Sequence, residues 1–250
     1  MILSSRLLFS CLLLISFLFV NYPVLAQVAS EAQIKALNTK DVQIEAAQVS
    51  YMDDLDLMVF ELTTEGQAGK TVPNARGELN GAPVLGYVFP TSLKPEDVGF
   101  GKIDGIVALA VTAHPDFDDT PLWDENNDGN YENDGVTWHT HWVVLGPDKR
   151  VKGGLSVIEF KKEDQAVVLP PTNPGMPMFM DSPGYSVVTN KDNLKVLVPA
   201  QRIDKKKVFN YDAVSAYMEV NTTDENRPLL GVYEVYDVLS GDLSLPYKVK

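Results

Sequence analysis

Three imidazoles and a dense run of side-chain oxygens lie together in one stretch, His114 to Leu145. His114, His139 and His141 are all the histidines of the chain. Successive strand residues point to opposite faces, so His139 and His141 share a face with Val143 and Leu145. Trp138, Thr140 and Trp142 take the other face. Two rings about 7 Å apart along a strand can offer their nitrogens to one zinc, copper, iron or manganese ion. His114 ends the preceding apolar run. If residues 103–113 and 136–145 pair, all three rings come to the same end of a sheet. Asp116, Asp118 and Asp119 are the candidate carboxylates, with Asp116 taken as the fourth ligand.

Between the histidines, Asp124, Asn126, Asp128, Asn130, Glu132 and Asp134 place oxygens at nearly every second position. A loop that winds around an ion presents alternate residues to one centre, and Gly129 supplies the sharp turn. The run Asp124-x-Asn126-x-Asp128-Gly129 resembles the opening of an EF-hand-type calcium loop. That resemblance implies a bound calcium ion, with Asn130 offering its backbone carbonyl. Gly135 stands where the motif has its bidentate glutamate, and Asp134 is the available substitute. A strand rather than a helix is expected to follow. His139-Thr140-His141-Trp142 resembles the strand pair of α-type carbonic anhydrases, and His-X-His occurs in cupins. The downstream histidine of the first and the following glutamate of the second are missing, so no whole-chain family is indicated.

The elements that must hold these residues read as strands. Candidates are 42–52, 55–62, 84–89, 103–113, 136–145, 151–160, 185–189, 194–199, 208–220 and 229–239, separated by Gly, Pro and Asn turns. Residues 208–220 also suit a helix. Asp53-Asp54, with Asp56, reads as a turn, and Gly153-Gly154 as a bulge or a close backbone approach. Pro170 to Gly184 is too rich in proline to be a central strand; its methionines Met176, Met178 and Met180 should pack it onto the core. The fold class expected is all-β: an antiparallel β-sandwich with long loops and one or two short helices. Residues 41–250 are expected to form it as a single domain, preceded by an arm or short helix at 27–40.

Residues 1–26 read as a signal peptide. Arg6 precedes an apolar run from Leu7 to Val20, Pro23 breaks it, and Val24-Leu25-Ala26 fits a cleavage site. The expectation is an exported protein, periplasmic, secreted or at the cell surface, with no membrane attachment after cleavage. The only cysteine, Cys11, falls in this segment, so the mature chain would hold metal through nitrogen and oxygen alone. A formal net charge of −13 offers no basic footprint for nucleic acid. No Gly-rich phosphate loop and no Gly-x-Ser-x-Gly elbow is present. Two readings follow: a binding or accessory protein whose partners are divalent cations, or a metalloenzyme whose histidine-bound ion activates water or oxygen.

Overall fold

The computed structural model describes residues 29–120, 124, 127–130 and 137–250. The expected signal peptide, and Asn126, Glu132 and Asp134 of the acidic loop, lie outside them. In chain order the strands are β1 (Ile44–Met52), β2 (Leu57–Thr64), β3 (Pro83–Pro90), β4 (Ile106–Ala113), β5 (His139–Pro147), β6 (Leu155–Val157), β7 (Met180–Asp181), β8 (Ser186–Asn190), β9 (Asn193–Pro199), β10 (Asn210–Tyr211), β11 (Val214–Val220), β12 (Leu230–Val238) and β13 (Tyr247–Lys248). One short helix, α1 (Glu31–Ala36), precedes them, closed at its start by a capping box of Ser30 and Gln33.

The protein is mainly β. β1, β2, β9 and β8 form a four-stranded antiparallel sheet. The larger sheet runs β4-β3-β11-β12-β6-β5, and β4 also pairs with β5, which closes those six strands into a barrel. The expected two layers are therefore present, with one of them rolled up. Closure removes the open edges that a flat sheet would leave. β7 pairs with β5 beside the start of the barrel seam, at Trp142↔Asp181 and Val143↔Met180.

Strand alternation divides the apolar residues between two cores. On β4, Val107, Leu109 and Val111 pack between barrel and sheet with Phe60, Phe89 and Trp142. Ala108 and Ala110 face the barrel interior with Val84, Val88, Ala216 and Met218. The Phe60 ring meets Phe89 edge-on at 5.4 Å and Trp142 at 6.1 Å, the geometry aromatic pairs prefer. Trp142 is fully buried and donates its indole N–H to the Tyr185 hydroxyl at 3.2 Å.

Several local expectations meet a definite outcome. Residues 214–220 form a strand, not a helix: β11 sits between β3 and β12, and every residue of it is buried. Asp53, Asp54 and Asp56 lie in the β1–β2 turn, where Asp56 accepts the Tyr51 hydroxyl. Gly153 makes a close approach, since a Cβ there would stand 2.5 Å from the Val232 carbonyl oxygen. Met178 and Met180 are buried in the barrel core.

Candidate metal centre

The β4–β5 register puts Thr112 opposite His139 and Ala110 opposite His141. His114 follows two residues after Thr112 on the same face. The three rings therefore gather where the barrel interior meets its end. His114 and His139 meet edge-on with centroids 4.6 Å apart, and His139 and His141 do so at 4.9 Å. After β4 the chain turns through Pro115, and Phe117 stacks on the His114 ring at 4.0 Å. That turn returns Asp119 to the imidazoles.

Asp119 Oδ1 lies 3.3 Å from His114 Nε2 and 3.2 Å from His139 Nε2; its Oδ2 lies 3.6 Å from His141 Nε2. His114 and His139 bring their Nε2 atoms to 2.8 Å. One ligand atom from each of the four residues falls within 4.8 Å of the others. Relative exposures of 1%, 7%, 5% and 2% for His114, Asp119, His139 and His141 place the whole group inside the protein. Four ligands at about 2.0–2.2 Å from a tetrahedral ion stand roughly 3.3–3.6 Å apart. The three Asp119–imidazole separations, 3.3, 3.2 and 3.6 Å, lie close to that spacing, and the His114–His139 separation of 2.8 Å is tighter.

The outer nitrogens fix the protonation pattern. His114 Nδ1 lies 2.9 Å from the Phe117 carbonyl oxygen, and His139 Nδ1 lies 2.8 Å from that of Thr137. A carbonyl only accepts, so each Nδ1 carries the proton and donates. The Nε2 atoms then present lone pairs to the centre, as metal-bound histidines do. His141 Nδ1 meets the Ser182 hydroxyl at 3.0 Å. Its Nε2 is buried and has no hydrogen-bond partner among the described residues.

Burial drives His141 down to about 3, with the neighbouring His139 and His114 adding to the effect against the pull of Asp119. Burial thus favours the neutral ring, the form that binds a metal. Burial alone would raise the Asp119 carboxyl, but its contacts with His141, His114 and His139 outweigh it and hold the group well below the usual carboxylate range. An ionised Asp119 beside a neutral His141 needs positive charge nearby. A proton shared by His114 and His139 can supply it, and so can a metal ion.

The fold brings His114, His139 and His141 together with Asp119. Asp116, the carboxylate singled out from the sequence, is turned away: its Oδ1 accepts the backbone N–H groups of Arg76 and Gly77 at 2.7 and 2.6 Å. Asp118 accepts the N–H of Thr120 at 2.7 Å. Sequence reasoning also passed over Ser182, which lies in the proline-rich stretch 170–184. Nothing local to Ser182-Pro183-Gly184 signals its role, which depends on β7 pairing with β5.

Of the acidic loop, Asp124, Asp128 and Asn130 fall among the described residues. Asp124 accepts the N–H groups of Asp128 and Gly129 at 3.1 and 2.6 Å, and Asp128 accepts that of Asn130 at 2.8 Å. These bonds wind the chain as an Asx-type turn does. Among the described residues no helix is long and apolar enough to cross a membrane. The chain matches no family model, no curated protein and no solved structure in the comparisons made.

Proposed function

We propose that this chain is an exported metal-binding β protein that holds one divalent transition-metal ion through His114, Asp119, His139 and His141. The observation that carries the reading is the buried convergence of four lone-pair donors whose outer nitrogens are committed elsewhere. Three imidazole nitrogens and one carboxylate oxygen suit zinc best among closed four-coordinate sites, with iron, manganese and copper as competitors. Nitrogen ligands disfavour calcium there. Four protein ligands leave little room for substrate, which favours a binding or accessory role.

One observation supports the metalloenzyme as a second reading. A cavity of about 20 Å³ lies against His114, Asp119 and His141, enough for a single water. A fifth ligand in that space would be water activated by the ion.

Calcium in the acidic loop rests on its oxygen spacing. It would order the loop and do no chemistry. Elemental analysis of the purified protein, before and after chelation, tests both assignments. Transition metal near one equivalent is expected, lost in the double variant His139→Ala/His141→Ala. Calcium-linked thermal stabilisation should survive that change and disappear in Asp124→Ala/Asp128→Ala. Unchanged metal content in the histidine variant would overturn the centre. Water proton relaxation in the cobalt-loaded protein separates the two roles, because only an exchangeable water enhances it.

A further inference from the structure

The barrel interior holds a second feature that the metal centre does not require. A cavity of about 110 Å³ runs within it. Six-stranded barrels are normally filled by their inward side chains. Here the inward positions of β4 and β11 include Ala108, Ala110 and Ala216, and β3 has Gly86 in line with them. A Cβ at Gly86 would stand 2.8 Å from the terminal methyl of Met218, so the methionine already uses that space. The void is bordered by Ala110 and Ala216 and by Met218 itself.

The two ends of the cavity differ. At one end stand Thr112 and His141, the polar side chains of an otherwise aliphatic wall. His141 also lines the small cavity at the metal centre. Thr112, Met180 and Leu230 line both cavities with it, so these four residues separate the two spaces, and His141 is the metal-ligating one among them. At the opposite end stand Leu243 and Leu245, from the segment after β12. Both have positive φ, 58° and 53°, a conformation that branched side chains seldom adopt. Leu243 is 37% exposed. These two leucines line the cavity at that end.

We infer that the barrel interior is a binding cavity for a small uncharged apolar molecule, seated with one end against the His141 ring. Among the described residues no charged side chain lines the cavity, so a carboxylate, phosphate or ammonium would enter unpaired. An apolar cavity of about 150 Å³ takes benzene. The space here suits a molecule of that size or slightly smaller. The cavity stands independently of the ion, while contact between its occupant and a metal ligand rests on the function proposed above.

Benzene, titrated into metal-free and cobalt-loaded protein, is the probe. Methyl NMR should show saturable shifts at Met180, Met218 and Val232, with none at Leu62 or Val196 in the other core. The cobalt absorption bands should move at the same benzene concentrations. Ala110→Leu and, separately, Ala216→Val should weaken benzene binding at least tenfold and leave cobalt binding intact. Absence of saturable shifts in the parent protein overturns the cavity, as do shifts confined to the other core or undiminished binding in a folded filled variant. Stationary cobalt bands on benzene binding overturn the seat against His141. Benzene binding by protein that takes up no cobalt removes the metal centre and leaves the cavity standing.

Discussion

His114 and His139 face each other with their Nε2 atoms 2.8 Å apart, while each Nδ1 donates to a backbone carbonyl oxygen, that of Phe117 or of Thr137. Two neutral rings in these tautomers would set lone pair against lone pair. The contact holds only with a cation between the rings, a proton in the metal-free protein or an ion in the loaded one. Metal uptake should therefore expel the proton that lies between the rings, because ligands must be deprotonated to bind. Calorimetric titration with zinc in two buffers of different ionisation enthalpy measures this directly. A heat that does not depend on the buffer would contradict the shared proton.

Asp119 and Asp116 sit three residues apart and should behave oppositely. Asp119→Asn removes the one carboxylate that the described residues bring into the cluster, and with it the charge that would balance the ion. Its metal affinity should fall by at least about 100-fold, beyond the usual cost of losing an outer partner. Asp116→Asn should leave affinity unchanged and loosen the backbone at Arg76 and Gly77, which it holds. Competition against a chromophoric chelator ranks the two. Equal losses would mean that the turn, and not the ligand, is what matters.

Ser182 is not among the four clustered donors. It meets His141 Nδ1 and so acts through the orientation of that ring. Ser182→Ala should weaken metal binding by about 10-fold, at the low end for an outer partner, and Ser182→Thr should restore most of it. A fall as large as that of His141→Ala would assign Ser182 a direct role.

The histidine face was legible because strand alternation is strict. His139, His141, Val143 and Leu145 had to share a side whatever the sheet became. Which of Asp116, Asp118 and Asp119 returns to the rings was not legible. That choice belongs to the turn after β4, where Phe117 stacks on His114 and its carbonyl takes the ring N–H. Barrel closure was also hidden, since it needs β3, β11, β12 and β6 to pair across long separations. Apolar residues on both faces of 214–220 left helix and strand open, and only neighbours on both edges decide it. The methionines read as packing do pack, at Met178 and Met180, yet nothing in their spacing indicated that they would also border the metal centre.

Away from the centre, Asp148 is held at about 2, first by hydrogen bonds from the Arg150 guanidinium, which outweigh burial, and then by the Arg150 N–H and the Ser156 hydroxyl. A carboxylate depressed in the folded state stabilises it above the ordinary carboxylate pKa of about 4. That contribution is lost as pH falls through the folded value. Asp148→Asn should thus cost roughly 1–2 kcal/mol at pH 7, allowing for the partial exposure of Arg150. The difference should vanish near pH 2. Urea melts of both proteins across that range measure it, and a gap that persists in acid would point to packing instead of charge.

The seam that closes the barrel is the pairing of β4 with β5, and the same pairing sets His139 beside His114 through Thr112. Ring closure and ligand assembly are consequently one event. A slip of a single residue along that seam would exchange the imidazoles for Thr140 and Trp142 and leave the cluster without two of its nitrogens. An ion captured there would act as a latch on the correct alignment, drawing misaligned chains back to the one register in which all four ligands meet.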